Sequence, residues 1–384
     1  MLQWSALLLF HLRLLAVHLH RRLQKSLDHL EPARYLPRGP FITYHQTHTL
    51  QLFKLNSPDT AVTSLDFDDT GEYVLAACDD DSFQIYNAKE GRHVKTLQSQ
   101  KYGIHLGRFT HHSSAIIYAS TKVDDSIRYL STHDNQFLRY FKGHTNSVTC
   151  LTMCPSSDTF MSCSLDDTVR LWDLKSPNPQ ARLNLKGPHL AAYDPSASVI
   201  AIASNVTQSI LLYDLRNYDK PPFEVFDVRE YMASSILESG KLDWTRLEFS
   251  NDGKSLLLGT NGMAGHLLLD SFEGHLKAHC IRSHQPTSLR SPPSELGKRG
   301  QGDVCFSSDG RYIIGGSGAD RDAVVWDTQG QVEIETKQLR PMCGLPHKSK
   351  AAVVEWNPRY NMCATADREV IFWVPDEHVG LRPP

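Results

Sequence analysis

Patterns that mark most enzymes and metal proteins are missing from this sequence. The eight cysteines are spread along the chain without a Cys-x-x-Cys pair, so neither a zinc knuckle nor a disulfide framework is indicated. A glycine-rich phosphate loop, a histidine cluster with metal-ligand spacing and a nucleophile elbow are also absent. We therefore expect no catalytic residue, no cofactor and no metal ligand, and the cysteine usage favours a reducing compartment.

A strong net charge and a long apolar run are lacking as well. The formal net charge is −3 at pH 7 and the pI is about 6.7, which gives no bulk attraction to nucleic acids. Basic residues interrupt the leucine-rich start before it reaches the ~18 apolar residues of a membrane span. These residues are His11, Arg13, His18, His20, Arg21 and Arg22. We expect neither direct nucleic-acid binding nor a membrane span.

The first 43 residues are predicted to be an extension outside the folded unit. Leucines recur there at three- and four-residue steps, which is typical of an amphipathic helix that can lie on a partner or a membrane surface. They are Leu12, Leu15, Leu19, Leu23, Leu27 and Leu30. A flexible extension and a misassigned start codon are the alternatives. We predict three segments: an extension over 1–43, one folded unit over 44–376 and a short tail over 377–384.

What the sequence does contain is a sevenfold internal repeat. A bulky apolar residue precedes a polar turn at Phe67, Phe109, Met153, Tyr193, Phe249, Phe306 and Trp356. A second one follows about 20 residues later at Tyr86, Leu130, Trp172, Tyr213, Leu269, Trp326 and Trp373.

Leu130 and Leu269 are the two aliphatic members of this second set, whose successive members are 41 to 57 residues apart. This spacing fits the ~40 to 45 residues of one four-stranded propeller blade once loops are allowed to grow.

Between the two positions of each repeat, the local sequence is typical of a β-hairpin. Turns such as Asn251-Asp252-Gly253 supply residues that accept a positive φ or bond to their own backbone. An aspartate stands six residues before the second position in five repeats, and threonine or methionine replaces it in the other two. The aspartates are Asp80, Asp124, Asp166, Asp320 and Asp367, and the replacements are Thr207 and Met263.

The fullest copy of the repeat runs from Ser164 to Trp172-Asp173 and is preceded by Gly143-His144. It resembles the WD repeat, so we predict an all-β, seven-bladed WD-repeat β-propeller. The resemblance implies that His144, Asp166 and Trp172 form a hydrogen-bonded set inside their blade. We interpret their role as structural, because no recognisable motif supplies the nucleophile of a catalytic triad.

Closure of the predicted ring needs a strand from the start of the chain. The last repeat ends at residues 373–375, which leaves no room for its outer strand. Residues 49–55 alternate like a strand, and we predict that they supply it and remove the exposed edges. Two long segments, 228–243 and 280–300, are interpreted as surface insertions, with a partner or phosphate contact as the alternative.

Several segments resemble one particular family of WD-repeat proteins. They are Lys101-Tyr102-Gly103-Ile104-His105-Leu106, Asp124-Asp125-Ser126-Ile127-Arg128-Tyr129-Leu130-Ser131 and Arg139-Tyr140-Phe141-Lys142-Gly143-His144. Together they look like the second blade of the Swd-two type subunit of COMPASS, a histone H3 lysine 4 methyltransferase complex. The resemblance implies a nuclear, non-catalytic adaptor. Its expected partners are the methyltransferase catalytic subunit, other COMPASS subunits, and cleavage-polyadenylation and phosphatase subunits that act at transcription termination.

The same blade contains the candidate partner-binding residues. Basic and aromatic side chains interleave at Lys101, Tyr102, Arg128 and Tyr129, and such residues are enriched where binding energy concentrates. The alternative is ordinary blade packing. A different function, substrate receptor of a cullin-type ubiquitin ligase, is suggested by Tyr213-Asp214-Leu215-Arg216, which approaches the Trp-Asp-x-Arg pattern of such receptors.

Overall fold

The computed structural model describes residues 44–51, 60–232, 244–261, 265–282, 303–316, 322–347 and 351–375. These residues are built mainly from short strands, as predicted, with a 3-10 helix at Leu215–Asn217. The strands are β1 Tyr44–Gln51, β2 Val62–Phe67, β3 Tyr73–Cys78, β4 Ser82–Asn87, β5 Arg92–Gln98, β6 His105–Phe109, β7 Ala115–Ala119, β8 Ile127–Ser131, β9 Phe137–Phe141, β10 Val148–Met153, β11 Thr159–Ser164, β12 Thr168–Asp173, β13 Ala181–Asn184, β14 Pro188–Tyr193, β15 Val199–Ser204, β16 Ser209–Asp214, β17 Glu224–Asp227, β18 Trp244–Phe249, β19 Ser255–Thr260, β20 His266–Asp270, β21 Leu276–Cys280, β22 Val304–Phe306, β23 Tyr312–Gly316, β24 Ala323–Asp327, β25 Gln338–Leu339, β26 Cys343–Leu345, β27 Val353–Trp356, β28 Cys363–Ala366 and β29 Glu369–Pro375.

The strands form seven antiparallel sheets, one for each repeat, which confirms the predicted seven-bladed propeller. Blades one to four are β2–β5, β6–β9, β10–β13 and β14–β17. Blade five is β18–β21 with β25 added in parallel beside β21, and blade six is β22, β23, β24 and β26. Blade seven consists of β27, β28, β29 and β1. The chain therefore forms a ring of blades whose last member uses strands from both ends of the described sequence.

The two repeated positions have fixed places in the blade. All seven residues of the first set end the innermost strands, namely β2, β6, β10, β14, β18, β22 and β27. All seven residues of the second set lie in the third strand of their blade. Tyr86, Trp172, Trp326 and Trp373 are at most 1% exposed. The repeat thus records where each blade contributes its bulkiest side chains to the core.

The apolar core lies between neighbouring blades. Phe141 of blade two packs edge-on against Phe160 and Trp172 of blade three, at ring-centroid distances of 4.9 and 5.7 Å. Tyr86 of blade one shares an apolar cluster with Phe372 of blade seven. Because each interface is filled from both sides, no blade can bury its faces alone.

The turn residues that recur in the repeats make hydrogen bonds within their turns. Asp80, Asp124 and Asp166 each accept a hydrogen bond from the backbone N–H two residues later, at 3.1 to 3.3 Å. Thr207 takes this place in blade four, where its hydroxyl lies 2.7 Å from that of Ser209. Asp367 occupies the corresponding turn before β29. Asp320 and Met263 lie outside the described residues.

Strand β1 closes the ring by pairing antiparallel with β29, from Tyr44 opposite Pro375 to Gln51 opposite Glu369. The prediction of an N-terminal closing strand is confirmed, but its predicted start at residue 49 was wrong by five residues. Residues 44–48 are mostly polar and lack the apolar alternation used to find strands, whereas an outermost strand requires mainly backbone pairing. Residues 52–55 lie outside the described part.

Other predicted segments fall largely outside the described residues. This holds for the extension over 1–43, the tail over 377–384, and most of the two insertions, of which only 228–232 and 280–282 are described. Within the described ranges, no helix is long and apolar enough to cross a membrane.

Removal of residues 1–51 tests the closure, because it deletes β1 and leaves one edge of β29 without its partner strand. We expect the thermal unfolding midpoint to fall by more than about 5 °C, since about 1 kcal/mol shifts the midpoint of a large domain by about 2 to 4 °C. Scanning calorimetry measures the shift. Removal of residues 1–43 is the control, because it keeps β1. Equal midpoints for the two truncated chains would contradict closure by β1.

Candidate functional site

The three residues predicted to form a hydrogen-bonded set lie together in blade three. His144 Nδ1 is 3.0 Å from Asp166 Oδ2, and the two side chains are 1% and 6% exposed. Trp172 packs edge-on against the His144 ring, at a centroid distance of 6.2 Å, but its N–H bonds to neither residue. Its indole N–H donates to the hydroxyl of Ser162 at 2.9 Å, and that hydroxyl lies 2.7 Å from His144 Nε2. We call His144, Ser162, Asp166 and Trp172 the blade-three network.

Ser162 is the member that sequence reasoning missed. It lies on β11 and is fully buried between the histidine and the tryptophan. Blade seven repeats the arrangement: Trp373 Nε1 donates to Thr365 Oγ1 at 2.7 Å, and His347 Nε2 lies 2.5 Å from the same oxygen. In both blades the hydroxyl residue follows the histidine by 18 positions. That spacing is the sequence signal that would have identified it.

Blade six satisfies its tryptophan in another way. Trp326 Nε1 donates to the backbone carbonyl of Ile281 at 2.9 Å, and the ring of His266 packs edge-on against the indole. A buried indole N–H needs an acceptor, and here the backbone supplies it. The repeat therefore requires an acceptor for each buried indole N–H, and different atoms supply this acceptor in different blades.

The blade-three network has the connectivity of a Ser-His-Asp triad, in which serine contacts histidine and histidine contacts a carboxylate. Two features of the geometry oppose a catalytic role. Ser162 has no exposed surface, and its oxygen already accepts the indole N–H of Trp172. An acyl substrate cannot approach a hydroxyl that lies inside a blade. The contacts fit the predicted structural role, which we test by substitution below.

Electrostatics favour a neutral histidine next to an ionised aspartate. Burial lowers the pKa of His144 below its ordinary value, although Asp166 opposes this shift. Burial acts to raise the pKa of Asp166, but hydrogen bonds from Thr168, His144 and the backbone of Thr145 lower it to about 2. In blade seven, burial lowers the pKa of His347 to about 4. Both histidines are thus held uncharged at neutral pH.

The predicted partner-binding residues of blade two are only partly brought together. The guanidinium carbon of Arg128 lies 3.5 Å from the ring centroid of Tyr102 and 5.0 Å from that of Tyr140. Phe137 contacts both tyrosines, at centroid distances of 5.5 and 5.4 Å. Lys101 is exposed, with its ammonium 5.1 Å from the Tyr102 centroid. We call Tyr102, Arg128, Phe137 and Tyr140 the blade-two cluster.

Arg128 and Tyr129 do not have the surface positions expected of contact residues. Arg128 is 3% exposed and is fixed by hydrogen bonds to Ser120 Oγ at 2.7 Å and Asp124 Oδ1 at 2.9 Å. Tyr129 packs against the apolar cluster between blades two and three. Adjacent residues of a strand point to opposite faces, so Tyr129 cannot join the cluster of Arg128. Tyr140 is the most exposed aromatic member of the cluster, at 40%, and the neighbouring Leu138 of β9 is 49% exposed.

Charged side chains line the central channel, where the innermost strands surround a cavity of about 920 Å³. Arg108 of blade two donates to the Leu65 carbonyl of blade one at 2.7 Å and to the Leu151 carbonyl of blade three at 3.3 Å. Arg246 of blade five binds Glu355 of blade seven at 2.8 Å and lies 3.6 Å from Asp303, next to blade six. Sequence reasoning missed both arginines.

The channel carboxylates are partly shielded from water, and this changes their titration. Burial raises the pKa of Asp66 to about 7, although Arg108 opposes the shift. Burial likewise raises the pKa of Asp303 to about 6, against the effect of Arg246. Among the described residues, no group of three or more His, Cys, Asp or Glu side chains is arranged to hold a metal ion.

Comparison with known proteins agrees with the geometry. The model of the family "WD domain, G-beta repeat" matches residues 49–87, 135–173 and 299–327. The chain is 39% identical to "WD repeat-containing protein 82" of Drosophila melanogaster over 323 residues, which cover 83% of this chain and 92% of that protein. It is 37% identical to "COMPASS component SWD2" of Saccharomyces cerevisiae over 319 residues, covering 82% and 91%.

A third relative, "Set1 complex component swd2" of Schizosaccharomyces pombe, is 33% identical over 341 residues, covering 81% of this chain and 92% of the relative. Seven blades, each built on four antiparallel strands, together with WD repeats define a WD-repeat β-propeller. Within that class, the chain belongs to the family of these three proteins, which the alignments cover almost completely. This confirms the family that the second blade had indicated.

Substitution of Ser162 by alanine tests the structural role of the blade-three network. It leaves the Trp172 N–H and His144 Nε2 without their partner, and each unsatisfied buried group costs about 1 to 3 kcal/mol. We expect the free energy of unfolding to fall by about 3 kcal/mol, measured by urea denaturation. Ser157→Ala, at an exposed hydroxyl in the turn before β11, should change it by less than about 0.5 kcal/mol. Equal effects of the two substitutions would contradict the assigned role.

The neutral state of His347 predicts a pH dependence of stability. Its folded pKa of about 4 lies below the ~6.5 of an unfolded histidine, so the unfolded chain takes up a proton first as the pH falls. Titration of His347 therefore leaves the free energy of unfolding unchanged above pH ~6.5 and lowers it by about 2 kcal/mol by pH ~5. We expect the His347→Gln variant, measured by urea denaturation, not to show this part of the decrease in the free energy of unfolding. His275→Gln, at an exposed histidine, is the control and should keep the wild-type pH dependence.

Proposed function

We propose that this chain is a non-catalytic adaptor subunit of COMPASS, the histone H3 lysine 4 methyltransferase complex, and acts in the nucleus. The observation that carries the proposal is the extent of the similarity to the two yeast proteins named as components of COMPASS and of the Set1 complex. It reaches 91% and 92% of their lengths and 82% and 81% of this chain, and therefore includes most of the ring of blades. A partner that recognises several blades of those relatives can find the corresponding surfaces here.

The interior of blade three supports a role without catalysis. Its one triad-like constellation uses the serine as a hydrogen-bond bridge for Trp172, inside the blade and away from solvent. What the propeller offers to other molecules is its outer surface, where rigid strands hold exposed side chains in fixed positions. The methyltransferase catalytic subunit would supply the chemistry, and this chain would hold subunits together.

The blade-two cluster is our proposed contact surface for COMPASS subunits. Tyr140 and Leu138 expose apolar area on β9, the outermost strand of the blade, and Lys101 adds a positive charge beside Tyr102. Arg128 acts from beneath: its guanidinium packs against Tyr102 and Tyr140 and keeps both rings in place. Rigid aromatic side chains lose little entropy on binding, which suits them to anchor a partner.

The finer parts of the proposal concern partners beyond COMPASS. We propose that the same propeller also joins cleavage-polyadenylation and phosphatase subunits at transcription termination, since a ring of seven blades has room for more than one partner. The alternative is a cullin-type substrate receptor. Its basis is Arg216, in the 3-10 helix after blade four's third strand, where Asp214 accepts a hydrogen bond from the Arg216 N–H at 2.8 Å.

Affinity purification of the tagged full chain from nuclear extract tests the proposal. The eluate is examined by mass spectrometry and assayed for methylation of histone H3 lysine 4. We expect COMPASS subunits and methyltransferase activity. Tyr140→Ala should reduce their recovery at least about tenfold, as expected for an interface anchor.

Tyr360→Ala is the matched control, because Tyr360 is 37% exposed against 40% for Tyr140 but lies in blade seven. Equal recovery from both variants would leave the adaptor role intact and reject the blade-two surface. Recovery of a cullin and its adaptor, without methyltransferase, would reject the adaptor role and support the alternative.

A further inference from the structure

Two cysteines of blade three face each other across neighbouring strands. Cys150 of β10 pairs directly with Cys163 of β11 in the antiparallel register. Residues opposite each other in such a pair have Cα atoms about 4.5 or 5.5 Å apart and point to the same face of the sheet. Both separations fall within the roughly 4.4 to 6.8 Å that a disulfide spans. The backbone therefore already holds the two residues at a separation that a disulfide can span.

The two thiols differ in what surrounds them. Cys163 has no exposed surface and lies in the apolar cluster between blades three and four. Cys150 is partly exposed and is one of the residues that line the cavity of about 920 Å³ in the central channel. Its sulfur is positioned by the neighbouring blade: the Ala191 N–H donates to Sγ at 3.3 Å, and Sγ lies 3.5 Å from the Ala191 carbonyl.

The environment also distinguishes the two thiols electrostatically. A hydrogen bond from Cys163 lowers the pKa of Cys150, and the positive charges of Arg108 and Arg246 in the channel act in the same direction. Burial raises the pKa of Cys163. The thiolate is the reactive form of cysteine, so the accessible member of the pair is also the more nucleophilic one.

We propose that Cys150 and Cys163 are a reversible oxidation site, at which a small hydroperoxide that enters the central channel converts the two thiols to an intrachain disulfide. The site does not depend on the proposed adaptor function.

The reaction takes place in two balanced steps. The Cys150 thiolate attacks one oxygen of the hydroperoxide, the O–O bond breaks, and the other oxygen leaves as an alcohol, or as water from hydrogen peroxide, after taking a proton. Cys150 is then a sulfenic acid. The Cys163 sulfur attacks the Cys150 sulfur, the S–O bond breaks, and the hydroxyl leaves as water with the proton of Cys163. The two thiols supply the two electrons that reduce the hydroperoxide.

The other described cysteines are not equivalent to this pair. Cys154 is on the same side of blade three, but it lies four residues beyond Cys150, about 13 Å along an extended strand, and contacts Ser156. Burial raises the pKa of Cys280 to about 12 and also raises those of Cys78, Cys305 and Cys363. Their thiols remain protonated and shielded at neutral pH, so they serve as internal controls.

The test is oxidation of the full chain with hydrogen peroxide at neutral pH, followed by alkylation of free thiols and mass spectrometry without reduction. Trypsin leaves both cysteines in one peptide, residues 143–170, so a second protease that cleaves before Asp158 is needed. We expect the two halves of this peptide to stay joined until a thiol reductant is added. Oxidation of the Cys163→Ala variant should stop at the sulfenic acid on Cys150, which is detected as a dimedone adduct. Cys154→Ala should still form the link.

Several results would overturn the proposal. In one, Cys150 and Cys163 of the wild-type chain are still free thiols after peroxide treatment, and both are then alkylated. In another, the link joins Cys150 to a different cysteine, or forms no faster in the native chain than in urea, where the strand register is lost. Because the wild-type protein alone gives these readings, a destabilised variant does not prevent the decision.

Discussion

The pairing of β1 with β29 is the interaction on which the propeller depends. Seven twisted sheets arranged around an axis form an open arc unless the first and last are connected, and an open arc leaves two apolar blade faces in water. Here the seventh blade takes its outermost strand from the beginning of the described chain and its other three from the end. Further hydrogen bonds at the junction add to this, since the Val62 N–H donates to the Asp367 carbonyl and the Asn357 side-chain amide donates to the Gly71 carbonyl.

On the channel side, arginines add polar connections between blades to those made by the apolar clusters. Arg108 links blade two to blades one and three, while Arg246 connects blade five to blade seven. A rigid ring results, and rigidity is what an adaptor needs, because it fixes the relative positions of partners bound to different blades. The side chains that hold the ring face inwards, which leaves the outer strands free to vary for recognition.

Sequence reasoning found the features that repeat and missed those that depend on contacts between residues far apart in the sequence. Both bulky positions of each repeat and the turn aspartates recur along the sequence, so a single chain displays them, whereas the set of His144, Asp166 and Trp172 was implied by the resemblance to the WD repeat. The partners of Arg246 do not recur: Glu355 lies 109 residues away and meets it only because the ring closes. Tyr129 was grouped with Arg128 by adjacency, although strand alternation places their side chains on opposite faces.

The measurement that tests closure most directly is hydrogen exchange of the backbone amides of β29 in the native full chain. If β1 covers this strand, the amides of residues 369–374 that pair with β1 are protected to the same degree as those within β12 of blade three, a strand paired on both sides. Exchange of these amides as fast as at the free edge of β9 would contradict a ring closed by the two ends of the described chain.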